Sequence, residues 1–152
     1  MNPADQVFMS FFKEIFSLEQ LARNRMEQAL PGDMKVSHFT ALSYLANKNT
    51  PSNPAELASA FQVSRPTMTN TLQKLEAKKY IRISADSEDG RSKQIAITKE
   101  GRKAYKLAIA ALAQMFSDVA RNLGEGPFTQ ALVPLQTIRE FMDAFRTAPA
   151  DD

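Results

Sequence analysis

The chain has 152 residues, 43% of them hydrophobic and 24% charged, with no cysteine and a single histidine, His38. A chain of this length suits one domain that buries about two-thirds of its unfolded surface, and its composition excludes intrinsic disorder and a disulfide scaffold. The missing thiols exclude cysteine nucleophiles, thiolate metal sites and cysteine-based redox sensing; one histidine excludes a multi-histidine metal site. No run reaches the ~18 apolar residues of a membrane span and the first residues lack signal-peptide character, so the expectation is a cytoplasmic protein without membrane association.

In chain order, Phe8, Phe11, Phe12, Ile15, Phe16, Leu18 and Ala22 recur at three- and four-residue spacing, which predicts an amphipathic helix over 3–30. Pro31-Gly32-Asp33 breaks it. A second helix carries Phe39, Leu42, Leu45 and Ala46 on one face and stops in the polar stretch 47–52. Asn53-Pro54-Ala55-Glu56 reads as an N-cap, a first-turn proline and a capping-box glutamate, opening a short helix over 54–61. After Gln62 and Val63, Ser64 is a second N-cap for a helix over 65–79. Two helices joined by so short a turn cross steeply, as in a helix-turn-helix. Met68, Leu72, Leu75 and Lys79 share the inner face of the second, and Pro66, Thr67, Asn70, Gln73, Lys74 and Ala77 the outer.

The period then changes. Ile81 and Ile83, followed by Ile95 and Ile97, alternate with polar residues around the charged turn 86–92, which predicts a β-hairpin. Thr98 caps a long helix over 99–122, with Tyr105, Ala108, Leu112, Met115, Phe116 and Val119 facing inward. Gly124, Gly126 and Pro127 end it. A last amphipathic helix carries Phe128, Leu132, Leu135, Ile138, Met142 and Phe145, and residues 148–152 fray. The stripes of the first and last helices exceed what one helix pair buries, which predicts a subunit interface.

Charge is localised as well. Residues 65–103 carry ten basic and five acidic side chains, whereas the flanking segments are slightly acidic. A basic block over a helix-turn-helix and hairpin is the electrostatic footprint of a module that meets phosphate. The major groove admits a helix and the minor groove a thin hairpin tip. Asn70 and Gln73 have the amides to pair with adenine, and Lys74 and Lys78 suit phosphate. No nucleophile with a paired base and no phosphate-cradling glycine motif is present, so catalysis has no support and no cofactor is expected.

The run Val63-Ser64-Arg65-Pro66-Thr67-Met68-Thr69-Asn70, leading into Leu72, Leu75 and Glu76, and the run from Asp89-Gly90-Arg91-Ser92-Lys93 to Thr98-Lys99-Glu100-Gly101, resemble the MarR family of winged-helix transcriptional regulators. The second run matches the family's wing signature, Asp-x-Arg followed by an alternating strand and Thr-x-x-Gly. One departure is Gln62, where the turn often carries glycine and a left-handed backbone is needed. The resemblance implies a mostly α fold with a small β-hairpin wing: a winged helix-turn-helix core over about 35–101, flanked by dimerisation helices at about 3–30 and 102–146 within a single domain. It implies a homodimeric, sequence-specific regulator, mostly a repressor, on a pseudo-palindromic double-stranded operator. Arg65, Thr67, Asn70 and Lys74 correspond to groove-facing positions, with Ser64, Thr69 and Gln73 in the same DNA-binding set. Arg91 corresponds to the arginine inserted into the minor groove, Asp89 to the acid that orients it, and Lys93 reaches a neighbouring phosphate. Many relatives release DNA when a small aromatic or anionic effector binds; His38, beside the second helix, is the candidate residue here. The alternative is a winged helix that binds protein instead of DNA, which the basic middle block argues against.

Overall fold

The computed structural model describes residues 2–48, 50–85 and 93–147. Their order is α1 (Pro3–Ala29), α2 (Val36–Asn47), α3 (Pro54–Ala60), α4 (Arg65–Ala77), β1 (Ile81–Ala85), β2 (Lys93–Ile97), α5 (Lys99–Leu123) and α6 (Gly126–Thr147). This is the winged helix-turn-helix with flanking helices expected from the sequence. The chain divides into two compact units, residues 1–113 and 114–152.

The core lies in the first unit. Leu42 of α2, Leu57 of α3, Leu72 and Leu75 of α4 and Ile95 of β2 are its largest enclosed side chains. Their elements bring them together because each presents one apolar face: Met68, Leu72 and Leu75 follow the three- and four-residue spacing of a helical stripe, and Ile95 the alternation of a strand. α2 is also tied to the start of α5, where Phe39 and Tyr105 rings lie 5.8 Å apart, Ser43 Oγ and the Tyr105 hydroxyl are 3.1 Å apart, and Arg102 donates to the Ala46 carbonyl.

Local signals set most boundaries. Asn2 and Asp5 form a reciprocal capping box at the start of α1. Asn53 accepts the Glu56 N–H at 2.8 Å, as expected of an N-cap, but the Glu56 side chain does not return to complete a capping box. Its carboxylate instead receives the Tyr44 hydroxyl at 2.7 Å and the Lys48 ammonium, and these two bonds, Lys48 first, hold its pKa below the ordinary value. Lys79 also departs from expectation. α4 ends at Ala77, and Lys79 lies beyond it, exposed, with φ of 60°; Thr71 takes the remaining place on the buried face, its hydroxyl donating to the Thr67 carbonyl. On α5, Ala108 and Leu112 are buried as expected, whereas Phe116 is exposed. The side chain of Phe145 lies outside the described residues.

The Thr-x-x-Gly element has a structural reason. Thr98 Oγ1 caps α5 by accepting the Gly101 N–H at 3.0 Å, and it sits 2.7 and 3.0 Å from the carbonyl oxygens of Lys79 and Tyr80, toward which its hydroxyl points. The Thr98 N–H adds a bond to the Tyr80 carbonyl at 3.0 Å. Gly101 permits the approach: a Cβ there would stand 2.0 Å from the Tyr80 oxygen. The end of α4, the root of the hairpin and the start of α5 are thereby clamped at one point.

Candidate nucleic-acid interface

The turn between α3 and α4 is built from backbone bonds. Gln62 adopts φ of 52°, its N–H reaches the Ser59 carbonyl, and the Val63 N–H reaches that of Ala58. This pair of bonds is a Schellman motif, which reverses the chain within two residues. A second one ends α4, where Lys79 N–H bonds Glu76 and Tyr80 N–H bonds Leu75. The left-handed backbone expected at Gln62 is therefore present.

Ser64 then caps α4, accepting the Thr67 N–H at 3.2 Å, and its hydroxyl also lies 2.8 Å from that of Thr67. With Met68, Thr71, Leu72 and Leu75 turned inward, Ser64, Arg65, Thr67, Thr69, Asn70, Gln73 and Lys74 are all exposed. Helical rise spreads Arg65 to Lys74 over about 13 Å. No acidic side chain occurs on α4 before Glu76, so this face offers donors, amides and two cations to a partner. Lys78, whose sequence position suits a phosphate, has an intramolecular partner. It pairs with Asp33 of the α1–α2 connection, and that bond draws the Asp33 pKa below its ordinary value.

β1 and β2 pair antiparallel with Ile81 opposite Ile97 and Ile83 opposite Ile95. Lys93 opens β2 and is exposed. Asp89 and Arg91 lie outside the described residues, so the structure brings the recognition-helix set together and leaves these two wing positions aside.

His38 is buried at the third position of α2, with Nδ1 accepting the Lys35 N–H at 3.2 Å. Burial lowers its pKa, the Lys74 and Lys78 charges act in the same direction, and Asp33 and Glu27 oppose them. Glu27 of α1 completes this junction by accepting the Val36 N–H and the Lys35 ammonium. A cavity of about 340 Å³ nearby is lined by Pro31, Asp33, Met34, Tyr80, Lys103 and Leu107 among others, and His38 does not line it. The cluster around His38 escaped the sequence because His38 Nδ1 and Glu27 Oε1 are met by the backbone amides of Lys35 and Val36, which any residue supplies.

Comparison with known proteins agrees with this geometry. Residues 32–92 match the family model described as MarR family. Over that stretch the chain resembles a MarR-family winged helix. A structure of the transcriptional regulator BldR from Sulfolobus solfataricus is similar over 92% of this chain and 99% of its own, with 21% identity and a TM-score of 0.78. The MepR–DNA complex of S. aureus shares 26% identity over 86% of this chain and 96% of its own, with a TM-score of 0.71. BpsR of Bordetella bronchiseptica, whose DNA binding is regulated by 6-hydroxynicotinic acid, shares 16% identity over 84% and 91%, with a TM-score of 0.73. Curated protein sequences give no match. Among the described residues of the chain, no helix is long and apolar enough to cross a membrane.

Proposed function

We propose that the protein is a non-catalytic, sequence-specific DNA-binding transcriptional regulator, a repressor that occupies a pseudo-palindromic operator as a cytoplasmic homodimer. The observation that carries this reading is the outer face of α4, where Arg65, Thr67, Asn70, Gln73 and Lys74 stand exposed beside the hairpin with no carboxylate among them. In this reading α4 enters the major groove, Asn70 and Gln73 read base edges, and Ser64, Arg65, Thr67, Thr69 and Lys74 fix the register on backbone and bases. Arg91, oriented by Asp89, reads a narrow minor groove, and Lys93 meets a phosphate. The helices at about 3–30 and 102–146 form the dimer interface within one domain. The DNA complex of MepR supports the partner class, and the regulation of BpsR supports release by a small aromatic or anionic effector, with His38 as the candidate responding residue.

Selection from random duplex DNA by the purified protein tests this reading and is expected to enrich a two-fold repeat. On that duplex, Asn70→Ala costs about 1–3 kcal/mol and far less on random DNA, whereas Lys74→Ala weakens both alike and lowers the salt slope by about one unit. Arg91→Ala is expected to hurt most where the flanks are A·T-rich. Failure to enrich any sequence sinks the proposal in favour of a protein-binding winged helix.

A further inference from the structure

Ile83, the middle residue of β1, faces Ile95 across the hairpin. Ile95 exchanges both of its backbone bonds with Ser52 on the opposite side of β2, at 3.1 and 2.7 Å. Antiparallel pairs alternate between bonded and non-bonded positions, so Ile83 and Ile95 form a non-bonded pair and the Ile83 N–H points away from β2. On that outer edge Glu76, in the last turn of α4, accepts it through Oε1 at 3.0 Å. A carboxylate receiving a backbone N–H makes a short, directional, charge-assisted bond. The hairpin is thus held to the recognition helix at two levels: at its root by Thr98, and halfway along β1 by Glu76.

We propose that Glu76 is a positioning residue whose bond to Ile83 fixes the angle between the recognition helix and the wing, and so the spacing between the major-groove and minor-groove contacts. This rests on the DNA-binding reading. A charge effect gives the opposite sign: a carboxylate close to phosphate repels it, and removing that charge by any substitution strengthens binding. A brace instead depends on the acceptor oxygen, which glutamine keeps and alanine lacks.

The experiment titrates the wild-type protein, Glu76→Gln and Glu76→Ala against the selected duplex carrying A·T-rich or G·C-rich flanks, and follows exchange of the Ile83 amide in the free proteins. The preference for A·T-rich flanks is expected to fall about fivefold in Glu76→Ala, with faster Ile83 exchange, and to persist in Glu76→Gln with exchange near that of the wild type. An unchanged flank preference in Glu76→Ala overturns the inference, as does an equal loss in both variants. So does a wild-type protein that binds the duplex but ignores its flanks. A wild-type protein that binds no duplex defeats the DNA-binding reading, and the inference with it, at a separate and recognisable step.

Discussion

The apolar stripes of α2, α3 and α4 and those of α1 and α6 follow the same helical spacing, yet their burial is opposite. Leu42, Leu57, Leu72 and Leu75 are closed off from solvent, whereas among the described side chains of α1 and α6 none is buried, and Phe8, Phe16, Phe128 and Phe141 are more than half exposed. Spacing alone therefore states that a face is to be covered, and not by what. Within residues 1–113 one set of stripes finds partners in the same chain. Under the proposed dimeric reading, a second copy covers the exposed aromatic surface of α1 and that of α6.

The largest expected effect tests the closed side of this contrast. Leu75→Ala removes a fully enclosed side chain and is expected to destabilise the fold by about 2–5 kcal/mol, measured by urea unfolding; a loss below 1 kcal/mol means that the core is looser than the structure shows. Next comes the open side. Phe16, 69% exposed in the single chain, should tolerate aspartate without loss of helical circular dichroism, while the mass in solution falls to that of one chain. An unchanged mass at micromolar concentration removes α1 from the interface. A smaller effect concerns the junction between the two regions. The folded-state pKa of His38 is lowered, so below its unfolded value near 6.5 the unfolded chain binds the extra proton and stability declines as the pH falls. Glutamine at this third helical position still accepts the Lys35 N–H without titrating, so His38→Gln should reduce the drop in melting temperature between pH 7 and 5.5, and an undiminished drop assigns it to another group. The smallest effect is at Lys79, whose φ of 60° strains any side chain. Lys79→Gly should raise stability by about 0.5–1 kcal/mol in the same unfolding assay, and a decrease shows that the lysine side chain contributes more than its backbone strain.

Much of this was legible in the sequence where a local group has a local job. Asn53 and Ser64 cap the helices they precede, and the inward spacing of Met68, Leu72 and Leu75 fixes which side of α4 faces out. What escaped depends on partners distant in the chain. Glu56 has the spacing of a capping box, but Tyr44 and Lys48 of the neighbouring helix end offer its carboxylate a hydroxyl and a cation. Lys78 has the position of a phosphate contact, and its pairing with Asp33, 45 residues earlier, is not visible from that position. Thr98 and Gly101 are visible as a motif, whereas the reason for the glycine is a carbonyl some twenty residues earlier. The outer face of α4 was legible for a different reason, since once Met68, Leu72 and Leu75 turn inward the helical period leaves Asn70, Gln73 and Lys74 pointing outward.

The backbone exchange between Ser52 and Ile95 also bears on the order in which the molecule assembles. It closes a segment containing all of α3, α4 and β1, while the turn between α3 and α4 is completed by bonds between near neighbours. Closing the longer loop requires more chain entropy to be lost before any contact is gained. The helix-turn-helix is thus the natural early nucleus and the docking of β2 a late event. In kinetic terms, damage at Leu57 or Leu72 is expected to slow folding, and damage at Ser52 or Ile95 chiefly to hasten unfolding, as stopped-flow refolding and unfolding of each variant would read.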